Sequence, residues 1–187
     1  MSNQAIQEHT IINGVNVDQQ EETVQAVKNQ PELAQFQFRA HNQWQGGGHN
    51  QIHVDKYYGT CQEIQRDESF ALTADQPSTL LGTNKGPNPF EYLLTALSSC
   101  LTTSLVYQAA AQGITIDALE SDYEGDINLQ GILGLNPDVR KGYEEIRVKI
   151  KVDSNADKEM LRGLVQNSPI LDVIRNPTPV NIEFVTE

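Results

Sequence analysis

One stretch of the sequence, Gly86 to Leu105 (GPNPFEYLLTALSSCLTTSL), constrains the fold more than any other. Its prolines stand at the start, where a helix tolerates them, and Gly113 follows at a distance suited to a C-terminal cap. Between these residues the large apolar side chains recur at helical spacing, namely Phe90, Leu93, Leu94, Leu97, Leu101 and Leu105. The chain must therefore bury one long apolar helix, and its other segments must supply the surfaces that cover it.

The segments around this helix are mostly strand-like, because apolar residues alternate with polar ones between turn-forming residues. Upstream strands are predicted at Phe36–Trp44, Gln51–Gly59 and Ser69–Ala74, with a turn at Gly46–Asn50 that makes the first two a hairpin. Downstream strands are predicted at Thr115–Leu129, Glu144–Asp153 and Thr178–Glu187. Two further helices are expected, at residues 156–167 and just after Pro169. Clustered strands with few helices favour an α+β fold with largely antiparallel sheets.

The N-terminal residues predict a short extension before the main domain. Asp18 is expected to be the N-cap of a helix that stops near Asn29, and Glu21, three residues on, would complete a capping box. We therefore divide the chain into an extension, residues 1–35, that carries a short helix, and a main domain, residues 36–187.

The composition excludes several classes of partner. The formal net charge is −12 with a sequence pI of about 4.6, whereas nucleic-acid and anionic-membrane binders usually carry a basic face. The N-terminus lacks the basic and apolar regions of a secretory signal, and no run of apolar residues reaches the roughly 18 that a membrane helix needs. Two cysteines do not form a disulfide framework. We expect a cytoplasmic protein with no nucleic-acid or membrane partner.

Cys100 lies halfway along the long helix, and the pattern leaves its role open. A free cysteine is among the most buried residue types, so packing alone would explain it. The middle of a helix also lacks the N-terminal dipole that often activates a thiol, so a reactive thiolate would need a nearby cation.

Metal and cofactor motifs are missing from the sequence. It has no Walker loop, no GxSxG and no GxGxxG after a strand. His41, His49 and His53 come from one predicted hairpin, so a metal site is conceivable there, but polar turn and edge positions account for these residues. Cysteine and histidine at zinc-ligand spacing do not occur. We expect neither a metal nor a cofactor.

Several segments, taken in order, resemble the OsmC/Ohr family. They are FRAHNQWQGGGHNQI, LLGTNKGPNPFEYLL followed by the cysteine-bearing helix, LQGILGLNPDVRKGYEEIRVKI and NSPILDVIRNPTPVNIEF. The resemblance runs from about Asp18 to the end of the chain. It implies two long helices packed against sheets that two subunits build together, and hence an intertwined homodimer.

The resemblance also implies a chemistry, the thiol-dependent reduction of organic hydroperoxides. Cys100 matches the cysteine that attacks the peroxide, and Glu91 matches an acidic residue that supports it. The supporting arginine has two candidates, Arg39 and Arg66. The family's second cysteine, which resolves the oxidised first one, stands in a CP step that is Ser168-Pro169 here.

Because serine cannot form a disulfide, the resemblance predicts a one-cysteine enzyme recycled by an external thiol. Two alternatives stay open. In one, the protein is not an enzyme and binds a small hydrophobic molecule at the dimer cleft, with Cys100 a lining residue. In the other, Cys61 and Cys100 form a redox pair, which requires Cα atoms within about 7 Å of each other.

Overall fold

A computed structural model describes residues 9–186. The chain divides after Leu93, inside its long helix, into two compact units. Helices occur together with sheets in which every pairing of named strands is antiparallel. This architecture confirms the predicted α+β class.

The first unit contains a small ribbon, one helix and a three-stranded sheet. In the ribbon, β1, Ile11–Ile12, pairs with β2, Val15–Asn16. Helix α1, Val17–Asn29, follows it directly. After a 3-10 turn at Pro31–Ala34, the sheet has the order β3-β4-β5, with bounds His41–Gly46, His49–Gly59 and Gln62–Ala74. The predicted hairpin is thus present as β3 and β4.

Two predictions for this unit are wrong in detail. The N-cap of α1 is Asn16, whose side chain accepts from the Gln19 N–H, whereas the Asp18 carboxylate accepts from the Thr10 N–H at 2.8 Å and ties down the preceding ribbon. The first sheet strand begins at His41 rather than at Phe36. Before it, only Gln37 forms a bridge, with Tyr58, so the alternating residues upstream lack a continuous neighbouring strand.

Helix α2, Pro89–Ala111, begins in the first unit and continues into the second. It ends as predicted, just before Gly113, which has a φ of 72°. By length and composition α2 could cross a membrane. The core helices of soluble proteins meet the same criterion, and α2 buries a row of its own residues: Leu97, Leu101, Leu105, Ala109 and Ala110.

The second unit packs the rest of α2 with a two-stranded sheet and short helices. Strand β6, Ile116–Asp126, pairs antiparallel with β7, Glu145–Ser154, and the short helix α3, Leu129–Ile132, lies between them in the sequence. Two helices follow, α4 at Lys158–Val165 and α5 at Pro169–Arg175. Its buried core joins α2 to α4 through Leu105, Ala109, Ile114 and Leu164. This core fixes the half of α2 that carries Cys100.

The strand predicted at the C-terminus is not formed. In the part that the structure describes, residues 177–186 pair with no strand. The apolar residues of this segment are exposed, with Val180 and Ile182 at 77% and Phe184 at 90%. The alternation is real, but a strand is defined by its pairing, and residues 177–186 pair with none of the described strands.

Candidate functional site

The sulfur of Cys100 lies at a contact between α2 and the start of α5. Cys100 is half-buried, and Leu97 and Leu101 beside it on the helix are buried. The Ser168 hydroxyl donates a hydrogen bond to the Cys100 Sγ, with 3.2 Å between oxygen and sulfur. The two residues are 68 positions apart in the sequence, so the fold of the second unit creates this pair.

A second hydrogen bond fixes the direction of the Ser168 hydroxyl. Ser168 is the N-cap of α5, and its Oγ accepts from the Leu171 N–H at 3.3 Å. With that lone pair engaged, the hydroxyl hydrogen remains free to point at the sulfur. Ser168 is only 1% exposed, so water does not compete for this contact. The arrangement holds one donor against the sulfur of Cys100.

A groove of about 480 Å³ lies beside this pair on the second unit. Its apolar lining comes from three elements, α2, β7 and α5, through Leu97, Leu101, Ile146, Val148, Ile150, Leu171 and Ile174. Charged groups also line it, namely Arg140, Glu144, Glu145 and Arg175. An apolar cleft with a few polar groups is the usual form of a small-molecule site.

Glu91 closes a capping box at the start of α2. The Asn88 side-chain oxygen accepts from the backbone N–H groups of Phe90 and Glu91, at 2.9 and 3.0 Å. In return the Glu91 carboxylate accepts from the Asn88 N–H at 2.7 Å. This reciprocal pair satisfies backbone donors at the helix N-terminus. The carboxylate expected to support catalysis therefore has a structural task of its own.

A buried carboxylate, which the sequence did not single out, anchors the loop that leads into α2. Asp75 is 1% exposed and accepts from the backbone N–H groups of Gln76, Thr83 and Lys85, at 2.8, 3.1 and 3.2 Å. The Thr83 hydroxyl also donates to it, at 2.5 Å. This hydroxyl bond comes first among the causes that lower the pKa of Asp75 to about 2, and the backbone donors add to it. The only sequence signal was an Asp that ends a strand before a Pro- and Gly-rich loop.

The two candidate arginines have different surroundings. Arg39 donates to both oxygens of Glu63, at 2.7 and 2.8 Å, and this hydrogen bonding raises the pKa of Arg39 and lowers the pKa of Glu63. The guanidinium of Arg66 lies over the rings of Tyr57 and Phe70, at 5.1 and 5.2 Å from their centroids. The buried Arg66 Nε has no hydrogen-bond partner within the described residues. Arg39 is thus engaged in an ion pair, whereas Arg66 retains an unused donor.

Cys61 lies at the tip of the hairpin that joins β4 to β5. Cys61 is exposed. Thr60 and Cys61 have φ angles of 48° and 62°, and two consecutive positive φ angles are typical of a tight two-residue hairpin turn. Both cysteines of the chain are free thiols. The structure therefore brings Cys100 together with Ser168 and gives Cys61 no disulfide partner.

The family model for OsmC-like proteins matches residues 82–183, more than half of the chain. This match covers α2 with Cys100, both strands of the second sheet and the α5 N-cap at Ser168. The chain belongs to the OsmC-like protein family. The family resemblance expected from the sequence is thereby confirmed.

Solved OsmC-like structures share the fold at low sequence identity. An OsmC-like protein from Mycoplasma pneumoniae is 18% identical with a TM-score of 0.57, and the match covers 75% of this chain and 89% of that one. An OsmC-like protein of unknown function from Vibrio cholerae O1 is 13% identical with a TM-score of 0.54, over 73% of this chain and 92% of that one. None of the curated proteins matches the sequence significantly. At these identities the likeness establishes the fold alone.

Proposed function

We propose that this OsmC-like protein is a thiol-dependent peroxidase that reduces organic hydroperoxides, with Cys100 as its nucleophile. The observation that carries the proposal is the hydrogen bond from Ser168 to the Cys100 sulfur, inside the segment that matches the family. The thiolate is the nucleophilic form of cysteine, and the Ser168 hydroxyl, held 3.2 Å from the sulfur, is placed to donate a hydrogen bond to it. Cys100 is also only half-buried, so a peroxide can reach it.

The reaction would proceed in two stages at one sulfur atom. The Cys100 thiolate attacks one peroxide oxygen, the O–O bond breaks, and the alkoxide takes a proton and leaves as an alcohol. Cys100 is then a sulfenic acid, which condenses with an external thiol to a mixed disulfide and water. A second external thiol attacks that disulfide, restores the Cys100 thiol and leaves as the oxidised reductant.

The identity of residue 168 supports the proposed external reductant. Ser168 occupies the position at which the resemblance places the resolving cysteine, and it touches Cys100. A hydroxyl cannot form a disulfide with a sulfenic acid, so in this proposal the second thiol comes from another molecule. With both cysteines free and no intramolecular disulfide implied, we further propose a reducing, cytoplasmic location.

We propose the homodimer as the working form. The chain exposes 14180 Å² of accessible surface, whereas two separate folded units of half its mass would together expose only about 11,000 Å². An excess of roughly 3,000 Å² per chain is about 6,000 Å² for a pair, which is the scale of the large interfaces of obligate homodimers. The exposed apolar residues of the C-terminal segment are part of this unburied surface.

The direct test follows the oxidation of Cys100 in Cys61→Ser protein. Cumene hydroperoxide should add one oxygen atom to the intact mass within seconds and release one equivalent of alcohol, and excess dithiothreitol should reverse the mass change. The matched control is the Cys61→Ser/Cys100→Ser double variant, which should do neither. Hydroperoxide reduction that persists in this control would overturn the proposal.

Glu91 needs an experiment that separates catalysis from capping. Glutamine can also accept from the N-cap N–H in a capping box, so Glu91→Gln keeps the helix start but removes the charge. Glu91→Ala removes both. If Glu91 supports Cys100 through its charge, Glu91→Gln lowers the rate of Cys100 oxidation at unchanged Tm. A Gln variant with full activity would leave Glu91 a capping residue only.

The supporting cation can be assigned in the same way. Arg66 is the stronger of the two candidates, because its Nε–H has no partner within the described residues and Arg39 is held by Glu63. Arg66→Lys keeps the positive charge but loses the planar fork, and Arg39→Lys is its matched control. We expect Arg66→Lys to slow Cys100 oxidation more than Arg39→Lys does. Equal rates for the two variants would exclude Arg66 as the supporting arginine.

The groove beside Leu97 and Leu101 favours a second candidate function, the binding of a small hydrophobic molecule without catalysis. In this case Cys100 would only pack between the helix residues that line the groove. A thiol reagent distinguishes the two functions, because a catalytic Cys100 reacts in the folded protein. A Cys100 that reacts only after unfolding would favour binding.

A further inference from the structure

Two histidines on neighbouring strands of the first unit face each other. His41 on β3 and His53 on β4 are register partners in the antiparallel ladder. Partners in such a ladder project to the same face, with Cβ atoms about 4.5–5.5 Å apart. The spacing lets both imidazoles reach one small cation. Sequence spacing alone does not reveal this pair, because twelve positions separate the two residues and the register depends on the hairpin turn.

The environment of the pair suits a metal ion. The neighbours two residues along each strand are Gln43 and Gln51, which are themselves register partners, so this face of the hairpin is polar. His41 is exposed and His53 is half-buried, which leaves room for water on one side of a bound ion. The nearest arginine in sequence, Arg39, is neutralised by its contacts with Glu63, at 2.7 and 2.8 Å.

From this geometry we propose that His41 and His53 together bind a divalent transition-metal ion. Neutral imidazole suits zinc, copper and nickel, and the alkaline-earth cations prefer oxygen ligands. Within residues 9–186 no group of three or more His, Cys, Asp or Glu side chains is placed to hold a metal. Water therefore completes the coordination, and the site has two protein ligands. The proposal goes beyond the peroxidase function and does not depend on it.

A bound ion would join two strands of the sheet. It bridges β3, which is the edge strand of the order β3-β4-β5, to the central strand. An ion that binds only the folded hairpin stabilises it by mass action. We expect metal binding to raise the Tm of the protein and to fix the β3–β4 register.

The test uses tag-free full-length protein in the reduced state and nickel chloride, since Ni²⁺ does not oxidise the two thiols as Cu²⁺ would. Titration calorimetry should show one site. Loss of an outer-shell partner already costs about 10–100-fold in metal affinity, so His41→Gln and His53→Gln should each weaken binding at least about tenfold. His49→Gln is the matched control, because His49 is on the same hairpin but pairs with Gly46.

Nuclear magnetic resonance of the unmodified protein provides a second readout that does not rely on the folding of a variant. Paramagnetic Ni²⁺ should broaden the imidazole signals of His41 and His53 first and spare those of His9 and His49. Binding that survives in the His41→Gln/His53→Gln double variant would overturn the proposal. Broadening of all four histidines at the same nickel concentration, or no heat in the titration, would also overturn it.

Discussion

Ser168 is the residue at which the local structure and the proposed chemistry meet. One hydroxyl caps α5 through the Leu171 N–H and donates to the Cys100 sulfur. The sequence could identify Cys100 and Ser168 separately by resemblance, and it could place Cys100 on a helix from the leucine spacing. It could not predict their contact, because no local pattern determines which loop packs against the middle of α2.

We predict that Ser168→Cys forms a disulfide with Cys100. The oxygen and sulfur atoms are already 3.2 Å apart, so only a small shift reaches disulfide geometry. Closing a loop of this length should stabilise the oxidised protein by about 4 kcal/mol relative to its reduced form. Peroxide treatment followed by non-reducing mass spectrometry and urea unfolding checks both effects.

The control for this variant is Ser168→Ala. It removes the α5 N-cap and should cost about 1 kcal/mol in unfolding free energy, and it should slow Cys100 oxidation because the donor to sulfur is lost. If Ser168→Cys stays as two free thiols under peroxide, the Cys100–Ser168 contact does not have the geometry described.

At the scale of elements, the loop before α2 shows where pattern reading succeeds and where it stops. Helical periodicity predicted α2, because burial of a single stripe follows from the spacing of leucines. Asp75, which anchors the loop before α2, is not part of any periodic pattern of apolar residues. Its hydrogen-bond donors lie in residues 76–85. The strand predicted from Phe36 begins only at His41. Alternation of apolar and polar residues indicates a half-buried surface but does not reveal whether a neighbouring strand is present.

Asp75 should make the stability of the protein sensitive to acid. Its pKa is lowered to about 2 in the folded state, mainly by the Thr83 hydroxyl, whereas an unfolded aspartate titrates near pH 4. The stabilisation is therefore complete above about pH 4 and is lost as the pH falls towards 2. We expect Asp75→Asn to lower the Tm by several degrees at pH 7 and to differ less from the wild type at pH 2.5. A constant difference across this range in thermal scans would exclude the carboxylate as the cause.

Replacement by alanine should change the stability of the protein in opposite directions at two glycines. A Cβ at Gly86 would lie 2.1 Å from the Thr73 carbonyl oxygen, a backbone atom that cannot move aside without shifting β5. Gly163 lies inside α4 with no atom within 4 Å of its Cβ position. Gly163→Ala should therefore stabilise by about 0.5–1 kcal/mol, and Gly86→Ala should destabilise by about 1–3 kcal/mol. Urea unfolding measures both, and a stabilised Gly86→Ala would contradict the close approach.

At the scale of the whole molecule, the C-terminal segment is the part of the chain that the proposed homodimer would complete. The segment alternates Val180, Ile182 and Phe184 as a strand would, yet all three are exposed, and the sheet of the second unit has only two strands. An unpaired strand and an open two-stranded sheet are complementary, since each has free backbone groups that the other can satisfy. The predicted strand is not formed within residues 9–186, and the proposed second subunit would supply the edge with which it pairs.

The last prediction tests this complementarity. Replacement of Val180, Ile182 and Phe184 by serine should convert the proposed dimer into a monomer, because the segment loses the apolar side chains that would pack in the interface. The matched control changes Asn181 and Glu183, which alternate with them, to serine and should leave the dimer intact. Light scattering after size exclusion should give twice the 20.8 kDa chain mass for wild type and control. A wild-type protein that is monomeric at micromolar concentration would refute the dimer, and a dimeric triple variant would place the interface elsewhere on the chain.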